Sequence, residues 1–419
     1  MANRLRRILL MTVAAIFAWP ALALAEADEA PGGRPVVLVS QHVQGKGTAK
    51  TIQEGIDMVD SGGKVMVLPG TYDEAIEIKK GLTLEAVGGS SGLVIIAPPG
   101  APTVAVLVET SDAVIIRDLS IHFTGANGIR GDGVVDITVE RVSMLAVNPP
   151  LGASNLVAVV NNSDAGGRAR LAVLESFLDG TVPPANSPFP PFPQVFGIRV
   201  HGDVDALLEG NVIRRTGGAC IAVFMRNDLS GKTNVDIFNN DIDECYPLGR
   251  AGSVFIQAFT TPVPPVTAEG VVNIVGNTIR NTFASCLPTT AISQSFAPGR
   301  IEHNRILGVV QPCAIPIPTR NPAALWIGSL FPAIPSMSPV IRFNDIEGNA
   351  HAGLRVAPNI TTALDATCNW WGSAAGPSVG TDPSDIVVDN PATPTPHFAP
   401  WATAPIAETD ETTCTGGRT

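Results

Sequence analysis

One short phrase recurs through the second half of this 419-residue chain. It reads Leu208-Glu209-Gly210-Asn211-Val212-Ile213, then Ile237-Phe238-Asn239-Asn240-Asp241-Ile242 and Ile274-Val275-Gly276-Asn277-Thr278-Ile279. It returns as Ile301-Glu302-His303-Asn304-Arg305-Ile306 and Ile341-Arg342-Phe343-Asn344-Asp345-Ile346. Each copy has an aliphatic residue three before the Asn and Ile two after it. A sixth copy, Cys368-Asn369-Trp370-Trp371, puts Trp in the Ile place. Earlier copies keep the apolar frame without Asn: Ile116/Leu119/Ile121, Val139/Val142/Met144 and Val173/Ser176/Leu178. Successive Asn anchors are 29, 37, 27, 40 and 25 residues apart.

Between anchors, a small residue introduces another β-type step. Examples are Gly197-Ile198-Arg199-Val200, Ala219-Cys220-Ile221-Ala222-Val223, Ser253-Val254-Phe255-Ile256 and Gly353-Leu354-Arg355-Val356. Alternating apolar residues in short runs, broken by Gly and Asn, are strand and turn signals. Each unit therefore supplies two or three short strands. The architecture that accepts one coil per unit of variable length is a right-handed parallel β-helix, an all-β, single-stranded solenoid. Its coils stack about 4.8 Å apart, so equivalent side chains form ladders along the axis. Asn tolerates a left-handed turn, and its amide can bond the Asn one coil away, so the series reads as structural.

Near the start the pattern changes. Thr51-Ile52-Gln53-Glu54 is a capping box, and Ile52, Ile56 and Val59 share one helical face. This predicts a short helix over the N-terminal end of the stack, where an open sheet edge is otherwise exposed.

Composition narrows the function classes. There are 27 Lys and Arg against 38 Asp and Glu, a net charge of −11. Arg4, Arg6 and Arg7 belong to a basic start that precedes the apolar stretch Ile8 to Trp19 and the small-residue site Ala23-Leu24-Ala25. Residues 1–25 thus read as a signal peptide cleaved near Ala25, which predicts a secreted or periplasmic protein. The remainder carries 24 basic and 38 acidic residues, net −14. Such a chain is a poor partner for nucleic acid, and no later apolar run is long enough to span a membrane. The oligomeric state is not readable.

Two segments carry a family resemblance. The opening from Thr51-Ile52-Gln53-Glu54 through Leu68-Pro69-Gly70-Thr71-Tyr72 to Leu82-Thr83-Leu84 resembles the start of pectin-lyase-like proteins. The phrase from Cys368-Asn369-Trp370-Trp371 to Gly376-Pro377 is similar to the final coil of bacterial β-helix repeat proteins. The resemblance spans about residues 36 to 380, leaving 381–419 as a Pro/Thr-rich tail. It implies the fold. Activity is a separate matter, because the polygalacturonase and methylesterase motifs are absent and one fold hosts many functions.

Candidate chemistry lies on the repeats. Position +3 from the Asn holds Arg214, Asp243 and Arg280 on successive coils, and position +1 adds Asp241, Arg305 and Asp345. As catalytic candidates, Asp241, Asp243 and Arg280 fit a lyase in which acids hold Ca2+ and Arg takes a proton. The competing reading is a cross-strand charge ladder that neutralises itself and needs no cofactor. His303 and His351 are read as solvated turn residues. Pro-rich inserts carry Phe189, Phe192, Phe259, Trp326 and Phe331, an aromatic wall suited to sugar rings. The six cysteines are expected to pair as Cys220–Cys245, Cys286–Cys313 and Cys368–Cys414. The leading expectation is an exported protein that binds or scaffolds on a polysaccharide. A polysaccharide lyase or glycoside hydrolase is the alternative.

Overall fold

The computed structural model describes residues 34–406 and 414–416, apart from 44, 46, 90, 91, 93, 151, 163–165, 183–193, 226–231, 247–251, 259–269, 284–289, 296, 311–322, 329–337, 350, 351, 381–383. The proposed signal peptide, His351 and the Cys286–Cys313 pair lie outside the described residues.

Three long sheets of twelve, ten and twelve strands carry the fold, and every strand pair within them is parallel. Each sheet takes one strand from every coil, the arrangement expected of a right-handed parallel β-helix. The aliphatic residues three before each anchor enter the first sheet, where Val173, Leu208, Ile237, Ile274, Ile301 and Ile341 stack in register. The Ile residues two after each anchor enter the second sheet, where Ile213, Ile242, Ile279, Ile306 and Ile346 stack likewise. A third column runs from Ile198 through Ile221, Val254, Ile292 and Leu325 to Leu354. All three belong to one continuous buried core. Burying an aliphatic side chain contributes about 1.5–3 kcal/mol, so each coil adds several such terms to its neighbours'.

The anchors form the expected ladder. Asn211, Asn240, Asn277, Asn304 and Asn344 each donate from Nδ2 to Oδ1 of the next Asn at 2.9–3.0 Å, ending on Asn369. The same Oδ1 atoms accept the preceding anchor's backbone N–H, and each Nδ2 also donates to a backbone carbonyl on the coil before. No anchor Asn is more than 1% exposed. Ser176 continues the column upstream, its N–H bonded to Asn211 Oδ1 and its Oγ accepting from the Val142 N–H.

One local expectation is corrected. The left-handed residue is not the anchor but the one before it: Gly210, Asn239, Gly276, His303, Phe343 and Cys368 before the Asn residues, and Asp118, Arg141 and Glu175 before Leu119, Val142 and Ser176, all have φ between 48 and 72°. The turn bends there so that the Asn can point inward. Non-glycine residues accept this at a cost of about 1–2 kcal/mol each, which the ladder and core offset.

The predicted helix forms over Ile52–Met58. Thr51 Oγ1 accepts the Glu54 N–H at 3.1 Å, and the Glu74 carboxylate takes the free N–H groups of Ile52 and Gln53. Gly55 lets it sit low, since a Cβ there would lie 2.6 Å from Val39 Cγ2. At the other end, parallel pairing continues past residue 380: Ile386–Val388 pairs with Ala352–Val356. Trp401–Ala402 and Cys414–Gly416 then form a small antiparallel pair, tied back by Cys368–Cys414. Cys220–Cys245 links two buried cysteines on neighbouring coils.

Replacing the central anchor tests the ladder. Asn304→Ala strands two donors of Asn277 and should lower unfolding stability by about 2–5 kcal/mol in guanidinium titrations. Asn239→Gly keeps the left-handed backbone and should change it by less than about 1 kcal/mol.

Candidate functional site

The catalytic candidates from sequence lie together on the outer face of the second sheet. Asp243 pairs in register with Arg214 on one side and Arg280 on the other, the expected alternating column. Arg280 Nη1 lies 2.7 Å from Asp241 Oδ1, and its Nε lies 3.1 Å from Asp243 Oδ2. Asn281 Nδ2 donates to the remaining Asp243 oxygen at 2.8 Å. Burial opposes the charge on Arg280, yet its bonds to Asp241 and Asp243 outweigh it and hold the guanidinium above its usual range. Both carboxylates are thus engaged by one cation.

These residues border a recess of about 700 Å³ whose lining includes Asp241, Arg280, His303, Arg305, Phe343, Asp345 and Ile406. The His303 and Phe343 rings stack at 5.3 Å. Asp345 is only 4% exposed, and burial raises its carboxyl pKa against the opposing hydrogen bond from the Ile406 N–H. Asp241 and Asp345 occupy one column with Thr278 and Arg305 between them. That places them about 14 Å apart. Two-carboxylate glycoside hydrolysis needs about 5–9.5 Å, so this pair does not have that geometry.

The outer face of the third sheet has different chemistry. Its strands put two consecutive residues inward, which leaves Phe196, Arg199 and His201 pointing out around the core residues Ile198 and Val200. Gly197 makes this possible: a Cβ there would meet the Cys220 carbonyl oxygen at 2.2 Å. Along the axis the central outward column reads Arg130, Ala158, Arg199, Ala222, Phe255, Ser293, Trp326 and Arg355. Large and small residues alternate over most of it. Beside it runs Val160, His201, Phe224 and Gln257.

Phe224 is the centre of this face. The Arg199 guanidinium sits 5.0 Å over its ring, His201 lies 5.6 Å away, and Phe255 meets it edge-on at 5.9 Å. Phe224 and Phe255, with Ala219, Ala222 and Phe196, form an apolar cluster separate from the main core. Arg130 is forked onto Asp132 at 2.8 and 2.9 Å, and Arg355 donates to Asp389 at 2.7 Å. Arg199 has no acidic partner among the described residues, and its Nε is buried without a hydrogen bond. Burial, then repulsion from Arg130, pulls its pKa below the usual value. From Ala158 to Trp326, no described residue in the central column carries a carboxyl group.

Of the proposed aromatic wall, Trp326 lies in this column, whereas Phe189, Phe192, Phe259 and Phe331 lie outside the described residues. Sequence reasoning missed Arg199, Phe224 and Phe255. Aligning the short steps at Ile198, Ile221, Val254 and Leu354 would have found the column, because Arg199, Ala222, Phe255 and Arg355 each follow an aligned residue.

The site carries a pH signature. Burial first, and Arg199 second, depress His201 from the usual 6.5 to about 4. The folded state therefore favours neutral imidazole. Stability from this group is full above pH 6.5 and is lost as pH falls toward 4. Melting temperatures between pH 7 and 4 should decline less steeply in His201→Gln than in the wild type.

No protein-family model matches the chain, and no curated protein matches it. Solved structures do. The catalytic domain of a GH87 α-1,3-glucanase in complex with tetrasaccharides is 14% identical with a TM-score of 0.50, over 89% of this chain and 67% of that one. The A-module of the Azotobacter vinelandii mannuronan C-5 epimerase is 15% identical with a TM-score of 0.46, over 84% and 94%. A pectate lyase is 11% identical with a TM-score of 0.42, over 75% and 80%. At such identities the likeness concerns the fold. With its three parallel sheets and inward Asn ladder, the chain is a right-handed parallel β-helix protein of the pectin-lyase-like fold.

Proposed function

We propose that this protein binds a polysaccharide along the outer face of the third sheet without cleaving it. The observation that carries the reading is the spacing of Phe255 and Trp326 in one outward column with Ser293 between them. Two coils separate the rings, about 9.5 Å, close to the length of an extended disaccharide. Rings on a rigid sheet offer sugar faces an apolar contact at little entropic cost. The glucanase that shares the fold holds tetrasaccharides, which supports a carbohydrate ligand.

The binding reading needs no metal. The lyase or hydrolase alternative, with Ca2+ in the lyase case, needs an acidic group free to act, whereas Asp241 and Asp243 are both bonded to Arg280. Residues 1–25 are proposed as a cleaved signal peptide, and the two described disulfides are compatible with an exported protein. No helix among the described residues is long and apolar enough to cross a membrane.

The test is a panel of neutral and acidic polysaccharides, with and without Ca2+, read by affinity electrophoresis and by reducing-end and unsaturated-uronide assays. Retention on at least one polysaccharide, without new ends, is expected. Phe255→Ala and Trp326→Ala should each weaken it about tenfold. Replacing Asp241 and Asp243 together by Ala should leave it unchanged. Product formation lost in that double variant would overturn the reading in favour of catalysis on the second sheet.

A further inference from the structure

We infer that Arg199, seated on Phe224, is a recognition point for a single carboxylate, so that the site selects glycans whose acidic sugars are isolated among neutral ones. The inference rests on the binding reading above and names the ligand class for that same face.

Three arginines stand in the outward column, and two are already neutralised: Arg130 by Asp132, and Arg355 by Asp389. Arg199 alone of the three has no acidic partner among the described residues, and its guanidinium is held over the Phe224 ring with a buried, unbonded Nε. The aromatic face orients the planar group and leaves its edge to bond an anion. A neutral glycan laid across it would cover the charge without pairing it, which is unfavourable. A polyuronate has the opposite fault. Its remaining carboxylates would lie against Phe255, Ser293 and Trp326, a stretch of the column that holds no cation among the described residues, on a chain of net charge −11. A glycan with one carboxylate at Arg199 and neutral rings over Phe255 and Trp326 satisfies every group in the column.

Three probes test this: gellan, in which glucuronate is separated by neutral sugars; carboxyl-reduced gellan; and polygalacturonate. Wild type should bind gellan about 10- to 100-fold more tightly than either of the others, the range of a charge-assisted contact. Arg199→Gln should lose that preference, binding gellan and carboxyl-reduced gellan alike and the reduced form no more weakly than wild type does, and Arg199→Lys should restore part of it. Independently of any variant, the preference should shrink as NaCl rises. Equal wild-type affinity for gellan and its reduced form, preference kept in Arg199→Gln, or tighter binding of polygalacturonate would each overturn the inference. Sensitivity to Phe255→Ala in those cases would leave the binding reading standing. Failure to bind any polysaccharide would remove both.

Discussion

A buried column of amides holds this molecule in register. At each bend between the first and second sheets the backbone leaves its ladder, and the Asn carboxamide supplies the missing partners. One Oδ1 accepts two N–H groups from the coil before, and the Nδ2 bonds both forward and back. A buried amide with all its partners is stabilising, whereas the same group half-satisfied is costly. Register is thereby set at one point per coil. Coils of 25 to 40 residues can then stack on one another, because extra residues leave the ladder elsewhere.

The outer faces spend their side chains differently. On the second sheet, cations and anions alternate in a column and engage one another, so its charges are used locally. On the third sheet, alanine and serine separate Arg199, Phe255 and Trp326, so large side chains have room beside them. Both patterns follow from a translation of one coil spacing, which brings each residue against its equivalent above and below. Opposite charges at that distance pair. Alternating large and small residues leave surface open to a ligand.

Much of this was legible in the chain. The aliphatic and Ile positions flanking each Asn read directly as two inward columns, and the capping box at Thr51 read as a helix start, because both depend on residues adjacent in sequence. The pairings Cys220–Cys245, on neighbouring coils, and Cys368–Cys414, joining the tail to the last coil, were also expected from the sequence. The turn conformation was misplaced by one residue. Asn tolerates a left-handed backbone, but here its side chain was needed inside, and the strain passed to the preceding residues such as Asn239, His303 and Phe343.

By itself the sequence determined a stacked all-β architecture, the anchors that hold it, and the self-neutralising column at Arg214, Asp243 and Arg280. Only the tertiary structure decided that Arg199 lies over Phe224, that Trp326 joins its column, and that Arg130 and Arg355 are already paired. The reason is geometric. Those contacts lie between strands of neighbouring coils, and which outward side chains meet there depends on packing across inserts of unequal length, which local sequence does not record.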